Sequence, residues 1–208
     1  MMSFPSAYDY FLNPFAVPVL VVSTLLALIS IFVLSQNPKS PTNLAFFLIC
    51  VSSCIWLYGI SFVYCSRYES LALNWYKYFT FLGVSFIAPS IYFFSVAWVG
   101  LLKERKVLIF LGYSGALAFY LSSALTDFGI LGVRKYFWGF YPIYGPIAMA
   151  FLVFFVLYYA MGLWNFMIGR SQEPRPQFRK QYDYMITAYL ITFFGACDFI
   201  PKVIPFSL

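Results

Sequence analysis

Chemistry in this chain has to come from very few groups. Only 10% of the 208 residues are charged and none is histidine. Without histidine there is no Ser-His-Asp triad, no HExxH zinc site and no phospho-accepting imidazole. Neither a Walker loop nor a GxGxxG run occurs. The cysteines are Cys50, Cys54, Cys65 and Cys197. Cys50 and Cys54 share a helix face, but a helix holds such a pair too far apart for easy disulfide geometry. With no CxxC they read as small buried hydrophobes, not as metal ligands. Two charged residues fall inside apolar sequence, Asp198 and Lys202. An unpaired acid at membrane depth costs about 3 kcal/mol, so Asp198 is expected to face a bundle interior or an aqueous cavity. Two readings stand for it: a local pair with Lys202 across Pro201, or a contact to a ligand or ion. Lys202 lies too near a helix end to suit a buried Schiff base. No catalytic residue, cofactor or metal is expected.

These groups must be positioned by membrane helices. A hydrocarbon core about 30 Å thick is crossed by roughly 20 apolar residues at about 1.5 Å each. Six stretches qualify: Phe15–Leu34, Leu44–Tyr64, Phe79–Val99, Val107–Thr126, Ile147–Gly169 and Tyr184–Ile204. With 62% hydrophobic residues and no amphipathic helix left to cover them, a soluble fold is excluded. A membrane barrel is excluded too, because runs such as Ala45-Phe46-Phe47-Leu48-Ile49 do not alternate. The expected fold is an all-α, polytopic bundle of six membrane-spanning helices over residues 1–208, with no soluble domain. The first span is expected to stay as a helix, since residues 1–14 carry no Lys or Arg and the apolar run is longer than that of a signal peptide.

Charge sets the expected threading. Lys39, Lys103, Arg105, Lys106, Arg170, Arg175, Arg179 and Lys180 fall on one side; Arg67, Lys77, Arg134, Lys135 and Lys202 fall on the other. The richer side belongs in the cytoplasm, which puts the N-terminus outside. Trp75, Tyr76 and Tyr78 then sit at the outer interface, and Trp98 and Trp164 at the inner one. The net charge of +6 is accounted for by anionic headgroups, not nucleic acid.

Three features go beyond spanning. Pro89 removes a backbone hydrogen bond within the third span and kinks it, as a hinge or as a met packing defect. Ser114, Ala118 and Ser122 form a small-xxx-small stripe on the fourth, a helix-packing seam. The loop Asp127–Pro146 holds Tyr136, Phe137, Trp138, Phe140, Tyr141 and Tyr144. It reads either as an interfacial aromatic belt or as the wall of a site for a small apolar or aromatic ligand, built on Trp138, Tyr141, Tyr144 and Asp198.

The order of motifs is familiar. Leu44-Ala45-Phe46-Phe47-Leu48-Ile49 is followed by Trp56-Leu57-Tyr58-Gly59 and Trp75-Tyr76-Lys77-Tyr78. Gly83-Val84-Ser85-Phe86-Ile87-Ala88-Pro89, Phe93-Phe94-Ser95-Val96-Ala97-Trp98-Val99-Gly100, Phe140-Tyr141-Pro142-Ile143-Tyr144-Gly145-Pro146 and Asp198-Phe199-Ile200-Pro201 come after. The chain resembles the N-terminal seven-transmembrane sensor region of bacterial histidine kinases, also found ahead of diguanylate cyclases. The resemblance implies a sensory input domain in the bacterial cytoplasmic membrane. It also implies a seventh helix and an output module, neither of which lies within residues 1–208, so signalling is expected to need both. Expected partners are the lipid bilayer, a small ligand and a second copy of the chain. The alternatives are a small transporter or channel, or an assembly subunit pairing through the Ser114–Ser122 seam.

Overall fold

A helix over Phe81–Trp98 runs through the centre of the molecule, with thirteen of its residues buried. The structure, a computed structural model, describes residues 6–196. In chain order the helices are α1 (Ala16–Gln36), α2 (Pro41–Cys65), α3 (Glu69–Asn74), α4 (Phe81–Trp98), α5 (Leu102–Leu125), α6 (Pro146–Gln172) and α7 (Pro176–Ala196). Strands β1 (Ile130–Tyr136) and β2 (Gly139–Tyr144) lie between α5 and α6. A π-helical segment, Trp75–Thr80, joins α3 to α4, so Glu69–Trp98 is one continuous rod. Counting that rod once, five helices among the described residues are long and apolar enough to cross a membrane. The protein is an all-α, multi-pass membrane bundle.

The chain's polar punctuation explains the helix ends. Ser40 caps α2 by accepting from the Asn43 amide, and Pro41 occupies the first turn, where its missing N–H costs nothing. Gly100, at φ +77°, closes α4. Its amide donates to the Ala97 carbonyl and that of Leu101 to Val96, the paired bonds of a left-handed helix stop.

Three helices begin well before their apolar runs. α5 starts at Leu102 because Lys103–Lys106 continue the helix into the polar region. The rod ending in α4 starts at Glu69 because Lys77, only 8% exposed, is neutralised by Asp127 at 2.6 Å. α7 begins at Pro176, ahead of the expected Tyr184. The far end of that expected span lies outside the described residues.

α2 and α4 meet almost backbone to backbone. A Cβ on Gly83 would lie 2.2 Å from the Trp56 amide nitrogen, and one on Gly59 2.3 Å from Thr80 Oγ1. α1 packs on α2 through small side chains: its buried residues are Ala16, Ser23 and Ser30, each seven apart. In lipid, where tails compete with any apolar partner, such small seams let dispersion contacts form. α6 lies against α4 on its other side, and Asn165 Nδ2 donates to Ser95 Oγ at 3.0 Å with both residues buried.

The segment Asp127–Pro146, expected as a loop, contains an antiparallel hairpin with an irregularity between Ile130 and Gly132. It docks on the end of α2. Gly139, at φ +141°, passes so close that a Cβ would meet the Tyr64 backbone at 2.9 Å. Hairpin, α3 and the N-terminal lead together cap this end of the bundle.

Candidate functional site

The aromatic residues singled out from sequence for a ligand site, Trp138, Tyr141 and Tyr144, all lie on the hairpin. Trp138 stacks on Tyr136 at 4.8 Å, and Tyr136 meets Tyr141 edge-on at 6.0 Å. Tyr144 is at the opposite end of β2, across from Ile130. Asp198 lies outside the described residues. The Trp138 backbone is fixed by Asn13, whose side-chain amide donates to the carbonyls of Trp138 (2.9 Å) and Tyr64 (2.8 Å). Asn13 is only 3% exposed. Asn13→Ala therefore removes the donor that ties hairpin, α2 and N-terminal lead together, at about 1–3 kcal/mol. Amides of Arg134–Tyr136 should exchange about tenfold faster in that variant, since 1.4 kcal/mol is a factor of ten. Unchanged protection would mean that packing alone holds the hairpin.

Pro89 is buried in α4 beside Gly112 of α5, where an added Cβ would touch the Pro89 ring at 3.1 Å. Ser114 and Ala118 face outward from the bundle and Ser122 is half-buried. The inward face of the same helix carries Gly112, Ala116 and Ser123.

A cavity of about 650 Å³ lies elsewhere, in the gap between α2 and α7. None of Trp138, Tyr141 and Tyr144 lines it. Its floor is α4, which contributes Val84, Ile87, Ile91, Phe94 and Trp98 at alternating spacings of three and four. One wall is α2, with Thr42, Phe46, Ile49, Ser53 and Trp56 at the same spacings. Each row runs over fifteen residues, about 21 Å along the helix axis. Phe155 and Tyr159 of α6 close the back, and Met185, Ala188, Tyr189 and Thr192 of α7 form the second wall. The floor residues Val84, Ile87, Ile91 and Phe94 are buried, whereas Ala188 and Thr192 are exposed, so the cavity is an open slot and not a sealed void.

The α7 wall is held by three buried or partly buried hydroxyl contacts. Tyr189 OH donates to the Ile91 carbonyl of α4 at 2.8 Å. Tyr159 OH of α6 bonds the Tyr189 carbonyl and pairs with the Thr192 hydroxyl. Tyr189 also packs edge-on against Phe166 at 5.0 Å. At the end near the α6–α7 connection, Arg170 and Asp183 form an exposed ion pair. Thus an occupant that reaches the α7 wall of the slot touches the residues that fasten α7.

Sequence reasoning did not find this slot. A partial signal existed in the three–four spacing of aromatic and small residues on α2 and α4, but both helices are apolar all round, which hides a preferred face.

A family model described as the N-terminal 7TM region of histidine kinase matches residues 18–208. No curated protein and no solved structure matches the chain.

Proposed function

Because the chain belongs to the N-terminal seven-transmembrane region of histidine kinases, we propose that this bundle receives a stimulus within the membrane and hands it on as a displacement of α7. The observation that carries this reading is the slot itself: one of its walls is α7, fastened by Tyr159, Tyr189 and Thr192. An occupant that shifts those side chains changes how α7 lies on α4 and α6. Ligands move an equilibrium only through contacts that differ between its two states, and these are contacts of that kind. Transmission then needs the seventh helix and the output module of the family. The setting is the bacterial cytoplasmic membrane, with the N-terminus outside and the basic start of α5, Lys103–Lys106, inside. A second copy of the chain would meet the outward Ser114–Ala118 face, and the hairpin aromatics Trp138, Tyr141 and Tyr144 with Asp198 would form a separate contact for an aromatic ligand at the outer surface.

Two measurements test the proposal. A single cysteine at Lys103, in a background lacking the native four, should resist an impermeant thiol reagent on intact cells, while one at Ser6 is labelled. A chimera joining residues 1–208 through a seventh helix to a histidine-kinase catalytic module should phosphorylate itself, and Thr192→Trp should change that level at least threefold. A chimera indifferent to Thr192→Trp would sink the α7 mechanism.

A further inference from the structure

The slot has a chemistry that selects among ligands. Among the described residues, Asp, Glu, Lys and Arg are all absent from its lining, so a formal charge on the ligand would meet no partner there in a low-dielectric setting. Flat rings face it from several helices: Phe46 and Trp56 from α2, Phe94 and Trp98 from α4, Phe155 and Tyr159 from α6.

Its polar groups divide into two sets. Those of α7 are occupied, Tyr189 OH by Ile91 and Thr192 by Tyr159. Asn43 donates to the Val33 carbonyl at 3.0 Å. Among the described residues, the indole N–H groups of Trp56 and Trp98 and the hydroxyls of Thr42 and Ser53 have no hydrogen-bond partner. An indole N–H can only donate. At the depth of Ser53 and Trp56, in the middle of α2, no bulk water replaces a missing acceptor. Ser53 and Trp56 are adjacent positions on the α2 wall, three residues apart. The slot therefore offers donors and asks for acceptors.

We propose that the slot binds an uncharged, lipid-soluble compound that joins a flat ring bearing carbonyl acceptors to an apolar tail, the chemistry of an isoprenoid quinone. The ring lies among the aromatic side chains, a carbonyl accepts from Trp56 or Ser53, and the tail follows the length of the α4 floor. The proposal deepens the sensory reading by naming its ligand class, and rests on that reading only for the consequence of binding, not for binding itself.

The purified chain in nanodiscs is titrated with a decyl-tailed benzoquinone, alongside decylbenzene as a probe with the same tail and no carbonyl. Saturable stabilisation by the quinone alone is expected, because a ligand of the folded state raises apparent stability. Trp56→Phe keeps a ring and deletes the donor; it should weaken binding at least tenfold. Ala188→Trp fills the slot from its exposed wall and should abolish binding while leaving the core untouched. Equal stabilisation by decylbenzene would reduce the slot to a lipid-wetted groove and overturn the proposal. Absence of saturable binding, or binding unaffected by both substitutions, would overturn it as well. Either failure leaves the Thr192→Trp response of the kinase chimera standing, so the ligand class and the sensory reading fail separately.

Discussion

Gly83→Ala is expected to lower the melting temperature of the bundle by roughly 6–12 °C, the consequence of about 3 kcal/mol spread over a domain of this size. The reason is geometric. An added Cβ would sit 2.2 Å from the Trp56 amide nitrogen and 2.7 Å from the Ser52 carbonyl oxygen. Both are backbone atoms of α2, so no rotamer change can make room, and the two helices must separate. Separation loosens the interface on which the slot is built, because Trp56 and Val84 flank this contact. Gly132→Ala is the control: nothing lies within 4 Å of the point its methyl group would occupy, and a change within about 0.5 kcal/mol is expected. Exposure of the buried Cys50 and Cys54 thiols to a fluorogenic reagent during heating reports the transition. A Gly83→Ala shift under about 2 °C would show that α2 and α4 are not in backbone contact.

That contact illustrates what hydropathy can and cannot reveal. Length and apolarity of the spans determine that helices cross the bilayer, and the five stretches within the described residues are where the sequence places them. Their rotation about their own axes is another matter. A span facing lipid on one side and protein on the other is apolar on both, so the periodicity that orients a soluble helix is missing. The buried Ser23 and Ser30 of α1 and the Asn165–Ser95 bond are legible in sequence only as small or polar residues. The slot is invisible there for the same reason. Charge misleads at the helix ends: Lys77 closes an apolar run but not a helix, because Asp127, fifty residues away, neutralises it. The hairpin is hidden by its composition. Gly132, Gly139 and Pro142 read as helix breakers, and the alternation in β1 is too short to announce a strand against that background.

Tyr189→Ala should release α7 from the bundle while the rest stays folded. Tyr189 is 7% exposed and fills the space between three helices. Its ring packs on Tyr159 at 5.3 Å and on Phe166 at 5.0 Å, and its hydroxyl donates to Ile91. Truncating a buried aromatic costs about 3–5 kcal/mol. Here the loss falls mostly on one helix, because α7 has α6 as its principal neighbour and reaches α4 through Tyr189 itself. The Arg170–Asp183 pair at the other end is exposed and screened by solvent, too weak to hold α7 alone. Tyr189→Phe separates packing from bonding: it keeps the ring and should cost only about 1 kcal/mol. Hydrogen exchange over Pro176–Thr192 distinguishes the two. The alanine variant is expected to lose protection there by a hundredfold or more, the phenylalanine variant by roughly tenfold or less, and α2 and α4 in neither. Equal losses in α4 would mean that α7 is not a separately movable wall, and a slot whose wall cannot move cannot convert occupancy into a signal.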